Sequence, residues 1–144
     1  MSGEAMTNDA GTDKSQIDDT VLALGELSKA LETIERARGR LYDFHQMSGE
    51  ADHQVGVAKE SLRKAGHADL AEEIERVLVG RNVLRGRWTF QIVDEYDDGY
   101  YRVAQDLERR VRETLGVPKH AYEAALKRVN VTPGELGHEL APPD

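Results

Sequence analysis

A chain of 144 residues is long enough to bury a core as one compact domain, and 39% hydrophobic with 32% charged residues is a globular balance. No apolar run reaches the ~18 residues of a membrane span, and Met1 to Ser15 has neither the basic start nor the apolar stretch of a signal peptide. The absence of cysteine excludes disulfides, thiolate metal sites and a cysteine nucleophile, so the expected setting is a reducing cytoplasm with no membrane attachment.

Of the net charge of −8, residues 1–20 carry −4 and residues 129–144 carry −3, leaving −1 for the middle. Acidic ends repel a phosphate backbone, which argues against nucleic acid as a partner. Arg81, Arg85 and Arg87 remain as a local anion-binding group.

Residues 1–14 read as a disordered acidic tail, 15–130 as a helical-bundle domain, and 131–144, with Pro133, Pro142 and Pro143, as a second disordered tail. All four prolines lie at Pro118 or beyond, so long helices are permitted before it. From Ile17, the residues Val21, Leu24, Leu27, Leu31, Ile34, Leu41 and Phe44 recur at spacings of three, four or seven, which places them on one helical face. Ser15 or Thr20 can cap this helix, and Ser48-Gly49 reads as its end. A second helix is expected over 50–64 with Val55, Ala58 and Leu62 inward, stopped by Gly66. A third covers 67–79, with Leu70, Ile74, Val77 and Leu78 apolar and Glu72, Glu73, Glu75 and Arg76 facing water.

Gly80 to Arg87 is a connection with two glycines. Beyond it, Trp88, Phe90 and Ile92 alternate as a strand would, and Asp97-Asp98-Gly99 would then be a hairpin turn over 88–104. Trp88, Ile92, Tyr96, Tyr100, Val103, Leu107, Val111 and Leu115 also continue at helical spacing, and one long helix is the favoured reading. Gly116 and Pro118 end it, and a short helix over 120–129 follows. The sum is an all-α protein, an antiparallel bundle of four to five helices with disordered acidic termini. The near-heptad stripe of the first helix makes pairing with a second copy or a protein partner the expected mode of action.

Candidate chemistry gathers where polar side chains lie close to aromatics. Glu50 and His53 form a Glu-x-x-His pair, a spacing that puts carboxylate and imidazole on one helical face and is similar to that of ferritin-like di-iron bundles. A second such pair, Glu135 and His138, falls in the C-terminal tail. Glu95 with Asp98, and His120 with Glu123, are further i, i+3 pairs. Glu50, His53, Glu95, Asp98, His120 and Glu123 together offer a nitrogen and oxygen donor set suited to Zn, Fe or Mn. Tyr42, Trp88, Tyr96, Tyr100 and Tyr122 are candidate pocket aromatics.

A different enzyme class is also in view. Glu72-Glu73-Ile74-Glu75 and Glu95-Tyr96-Asp97-Asp98 resemble the paired acidic motifs of all-α nucleotide pyrophosphatases of the MazG type. That resemblance implies magnesium held against a triphosphate. The first motif departs from the family pattern, with Arg76 following where a third acid is required.

Overall fold

The computed structural model describes residues 17–141. Its elements are α1 (Asp19–Lys64), α2 (Ala68–Val77), α3 (Thr89–Tyr96), a π-helical stretch (Asp97–Tyr101), α4 (Arg102–Leu115) and α5 (Ala121–Asn130). The fold is all-α, and the described residues hold no strand, only one isolated bridge between Leu84 and Arg87. The tail expected over 1–14 lies outside the described residues, as do 142–144. Residues 131–141 form exposed turns, closed by Glu135 N–H to the Thr132 carbonyl at 3.3 Å and His138 N–H to the Glu135 carbonyl at 3.1 Å.

The first two expected helices are one. At Ser48-Gly49 α1 continues unbroken, because the Ser48 hydroxyl donates to the Phe44 carbonyl at 2.7 Å, within the helix. Gly49 costs a helix only about 1 kcal/mol relative to alanine, which the flanking turns carry. Gly66 ends the helix as expected. At φ +93° it accepts the left-handed bend, with Gly66 N–H on the Arg63 carbonyl at 3.1 Å and His67 N–H on the Leu62 carbonyl at 2.9 Å. Gly116, at φ +67°, closes α4 in the same way.

Residues 88–104 are helical, not a hairpin. The Gln91 side chain accepts the Trp88 N–H at 3.0 Å and so satisfies one of the free donors at the start of α3. The helix then passes through a π-helical stretch at Asp97–Tyr101, where the wider turn accommodates one extra residue, before α4 resumes the ordinary pitch.

The chain divides into two compact units, one made of the described residues up to Glu32 and from Gln105 onward, the other of Thr33–Ala104. In the first, Ile17, Leu24 and Ala125 are buried and Tyr122 of α5 lies directly on Gly25 of α1, where a Cβ would stand 2.6 Å from the ring's Cγ. Glu108 of α4 is 5% exposed, accepts from Ser28 Oγ at 2.7 Å and from Arg112 Nε at 2.9 Å. Burial pushes the Glu108 pKa up, but these hydrogen bonds and the Arg112 charge outweigh it and hold the carboxyl below its ordinary 4.5.

In the second unit the buried apolar residues are Ala71 and Val93. There α1 is joined to the following elements by polar side chains spaced seven residues apart. Arg38 grips Asp97 with two hydrogen bonds of 3.0 and 2.9 Å, and a His45 ring nitrogen meets Thr89 Oγ1 at 2.7 Å. Asp52 accepts the Gly80 N–H at 2.8 Å, and Lys59 pairs with Glu75. A seven-residue interval returns to nearly the same helical face, so the four contacts form one line. The partner numbers fall as those of α1 rise, so the strands of helix run antiparallel within this unit.

Candidate functional site

The covered seam of α1 decides where its titratable groups point. Reduced exposure recurs at Leu31, Ile34, Arg38, Leu41, His45, Ser48, Val55, Lys59 and Leu62, at spacings of three, four or seven. The expected apolar stripe of α1 is therefore largely covered by the chain's own helices, although Phe44 stays 41% exposed. Glu50 and His53 fall outside the seam and are exposed.

The other candidate ligands are dispersed. Glu95 pairs with Arg87, and Asp98 lies 3.6 Å from Arg102. His120, at φ +63° just before α5, stands 3.6 Å from Glu123, in the other unit from the remaining four. In the C-terminal turns, His138 Nδ1 accepts the Thr132 N–H at 3.4 Å. Among the described residues no three His, Asp or Glu side chains are grouped to hold a metal ion.

Of the two acidic motifs, Glu72 and Glu73 of α2 are exposed and Glu75 is joined to Lys59. In the second motif Glu95, Asp97 and Asp98 each face an arginine, respectively Arg87, Arg38 and Arg102. The Arg38 hydrogen bonds, with its charge, hold Asp97 below the ordinary 3.8. A magnesium ion there would have to displace three guanidinium groups.

The aromatics separate as well. Tyr122 belongs to the first unit. In the second, the Arg38 guanidinium lies 5.1 Å over the Tyr42 ring, and the Tyr42 and His45 rings are 5.8 Å apart. Tyr96 neighbours Tyr100 at 5.9 Å and stacks on Tyr101 at 6.2 Å, and the Tyr101 hydroxyl donates to Glu35. Tyr100 and Tyr101 both belong to the π-helical stretch that follows Tyr96.

The feature that residue types alone did not single out is the surface from Leu78 to Asp98. Between Leu78 and Val93 there is no Asp, Glu or Lys, while Arg81, Arg85 and Arg87 alternate with apolar residues. Val83 is 51% exposed, Leu84 47%, Trp88 58% and Phe90 44%, with the Trp88 and Phe90 rings 5.5 Å apart. Beside it runs a groove of about 380 Å³ between Ala51 and Val55 of α1 and Leu78, Arg81 and Val83. A second hollow of about 500 Å³, lined by Arg81, Asn82, Val83, Arg85 and Gly86, shares three of those residues. The three arginines expected to form an anion site therefore part company: Arg81 and Arg85 line the hollow, whereas Arg87 is engaged by Glu95. The signal in the sequence was the missing Lys, Asp and Glu more than the arginines themselves.

Among the described residues no helix is long and apolar enough to cross a membrane. Comparison of the chain with protein-family models, with curated proteins and with solved structures finds no match.

Proposed function

We propose that the chain is an interaction module that works by self-association, and that residues 78–98 carry the contact. The observation behind this reading is the exposure of Val83, Leu84, Trp88 and Phe90, with the last two rings 5.5 Å apart, among arginines in a stretch, 78–93, without Lys, Asp or Glu. Two large aromatic rings side by side in water are costly, and exposed apolar surface of that kind supports a contact site. Tryptophan, phenylalanine and arginine are the residues enriched in protein–protein interfaces, and Lys, Glu and Asp are those depleted. Covering the exposed parts of Trp88 and Phe90 against a second surface removes apolar area from water at about 25 cal/mol per Å², a gain set against the loss of freedom on association.

Light scattering over a rising protein concentration tests the reading. The expected mass climbs from 16.1 kDa toward a multiple of it. A mass that stays at 16.1 kDa up to the solubility limit contradicts self-association.

A further inference from the structure

Resting on that reading, we infer that two copies join face to face about a two-fold axis through Trp88 and Phe90, so that the arginine end of each patch meets the carboxylate end of the other. The order of charges along the patch carries the inference. Asp52 holds Gly80, His45 holds Thr89 and Arg38 holds Asp97, so the segment is pinned to α1 at three successive levels. From residue 52 to residue 38 those levels span about 21 Å at ~1.5 Å per residue. Arg81 directly follows the first level and shares a hollow with Arg85, Trp88 and Phe90 flank Thr89 at the second, and Asp94 and Asp98 flank Asp97 at the third.

A patch that reads cationic, apolar, acidic is complementary to itself when reversed. A two-fold interface requires this, because every contact is made twice between the same pair of surfaces. Arg87 and Glu95 already neutralise each other within one chain. Arg85 and Asp94 are exposed, and neither side chain makes a hydrogen bond or ion pair with a described residue, so both are left for the second copy. Asp98 is held only loosely, 3.6 Å from an Arg102 that is itself 65% exposed. On α3, Phe90 and Asp94 are four residues apart and share one face, while Thr89 and buried Val93 turn toward α1. Surfaces of a single charge sign would suit an oppositely charged foreign partner; this one carries both signs in sequence.

Charge reversal tests the pairing. Arg85→Glu and Asp94→Arg each place like charges together at two symmetric points of the dimer. Each is expected to weaken the dissociation constant by about ten- to a hundredfold, with circular dichroism unchanged because both positions are exposed. An equimolar mixture of the two variants should recover the dimer mass, since the reversed residue of each then faces the reversed residue of the other. A wild-type protein that remains monomeric overturns both this inference and the self-association it rests on. A wild-type dimer that ignores both substitutions, or is lost in only one, or does not return on mixing, overturns the pairing alone and leaves self-association through another surface.

Discussion

In the unit that contains α5, α1 is gripped at close range: the Tyr122 ring rests on Gly25, and Ser28 and Arg112 close over the carboxylate of Glu108. In the unit spanning 33–104 the same helix is held by Arg38, His45, Asp52 and Lys59, whose partners mostly remain in contact with water. Steric fit at a glycine is unforgiving and independent of salt, whereas partly exposed ion pairs contribute roughly 0–1 kcal/mol each and weaken as salt is added. In the second unit Ile34, Leu41, Val55 and Leu62 are partly covered and Ala71 and Val93 buried, while Trp88, Phe90 and Met47 are left facing outward. Both units expose apolar side chains, Leu107, Leu115, Leu136 and Leu140 in the first, but the exposed aromatic pair of Trp88 and Phe90 belongs to the second.

The largest effect is expected at Gly25. A methyl group there meets Tyr122 Cγ at 2.6 Å and Cβ at 2.8 Å, so Gly25→Ala should lose about 1–3 kcal/mol in urea unfolding despite the better helix propensity of alanine. Next comes Glu108→Ala, which leaves Arg112 without its buried partner and should cost about 1–2 kcal/mol. Because the folded pKa of Glu108 is depressed, its contribution is complete above the ordinary value of 4.5 and disappears as the pH falls through the lower folded value. Wild-type stability should therefore fall more steeply than that of Glu108→Ala as the pH drops from the ordinary 4.5 down through the lower folded value, and parallel curves over that window would show that the carboxylate contributes nothing.

Smaller changes belong to the second unit. Arg38→Ala removes both hydrogen bonds to Asp97 and its cover of Tyr42, and should cost about 0.5–1 kcal/mol, with part of that loss already present in the wild type at high salt. The smallest effect has the opposite sign. Gly39 and Gly56 lie on α1 with nothing within 4 Å of a new Cβ, so alanine at either should raise stability by about 0.5–1 kcal/mol. A loss there comparable to that at Gly25 would mean that the two halves of the helix are packed alike.

The sequence made the helical character legible because apolar spacings of three and four carry it, and Gly66 and Gly116 announced two of the ends. It misled at Ser48-Gly49, where a local break signal yields to a helix already supported on either side. The π-helical turn at Asp97–Tyr101 had no local mark, since one inserted residue leaves the composition unchanged. The polar seam was hidden for a different reason. The roles of Arg38, His45, Asp52 and Lys59 depend on partners 16 to 59 positions away, which no local pattern reveals. The same seam explains Glu50 and His53: their mutual spacing was visible, but not their phase against a covered face that runs through residues 45, 48 and 55.

Trp88 is the chain's single tryptophan, 58% exposed and placed at the centre of the inferred contact, so its fluorescence reports on that contact alone. Acrylamide quenching of Trp88 should be followed across the same concentration series as the mass. The account requires quenching to fall and the emission to move to the blue as the mass rises above 16.1 kDa. A mass that rises while Trp88 stays as open to acrylamide as in the dilute protein would contradict it.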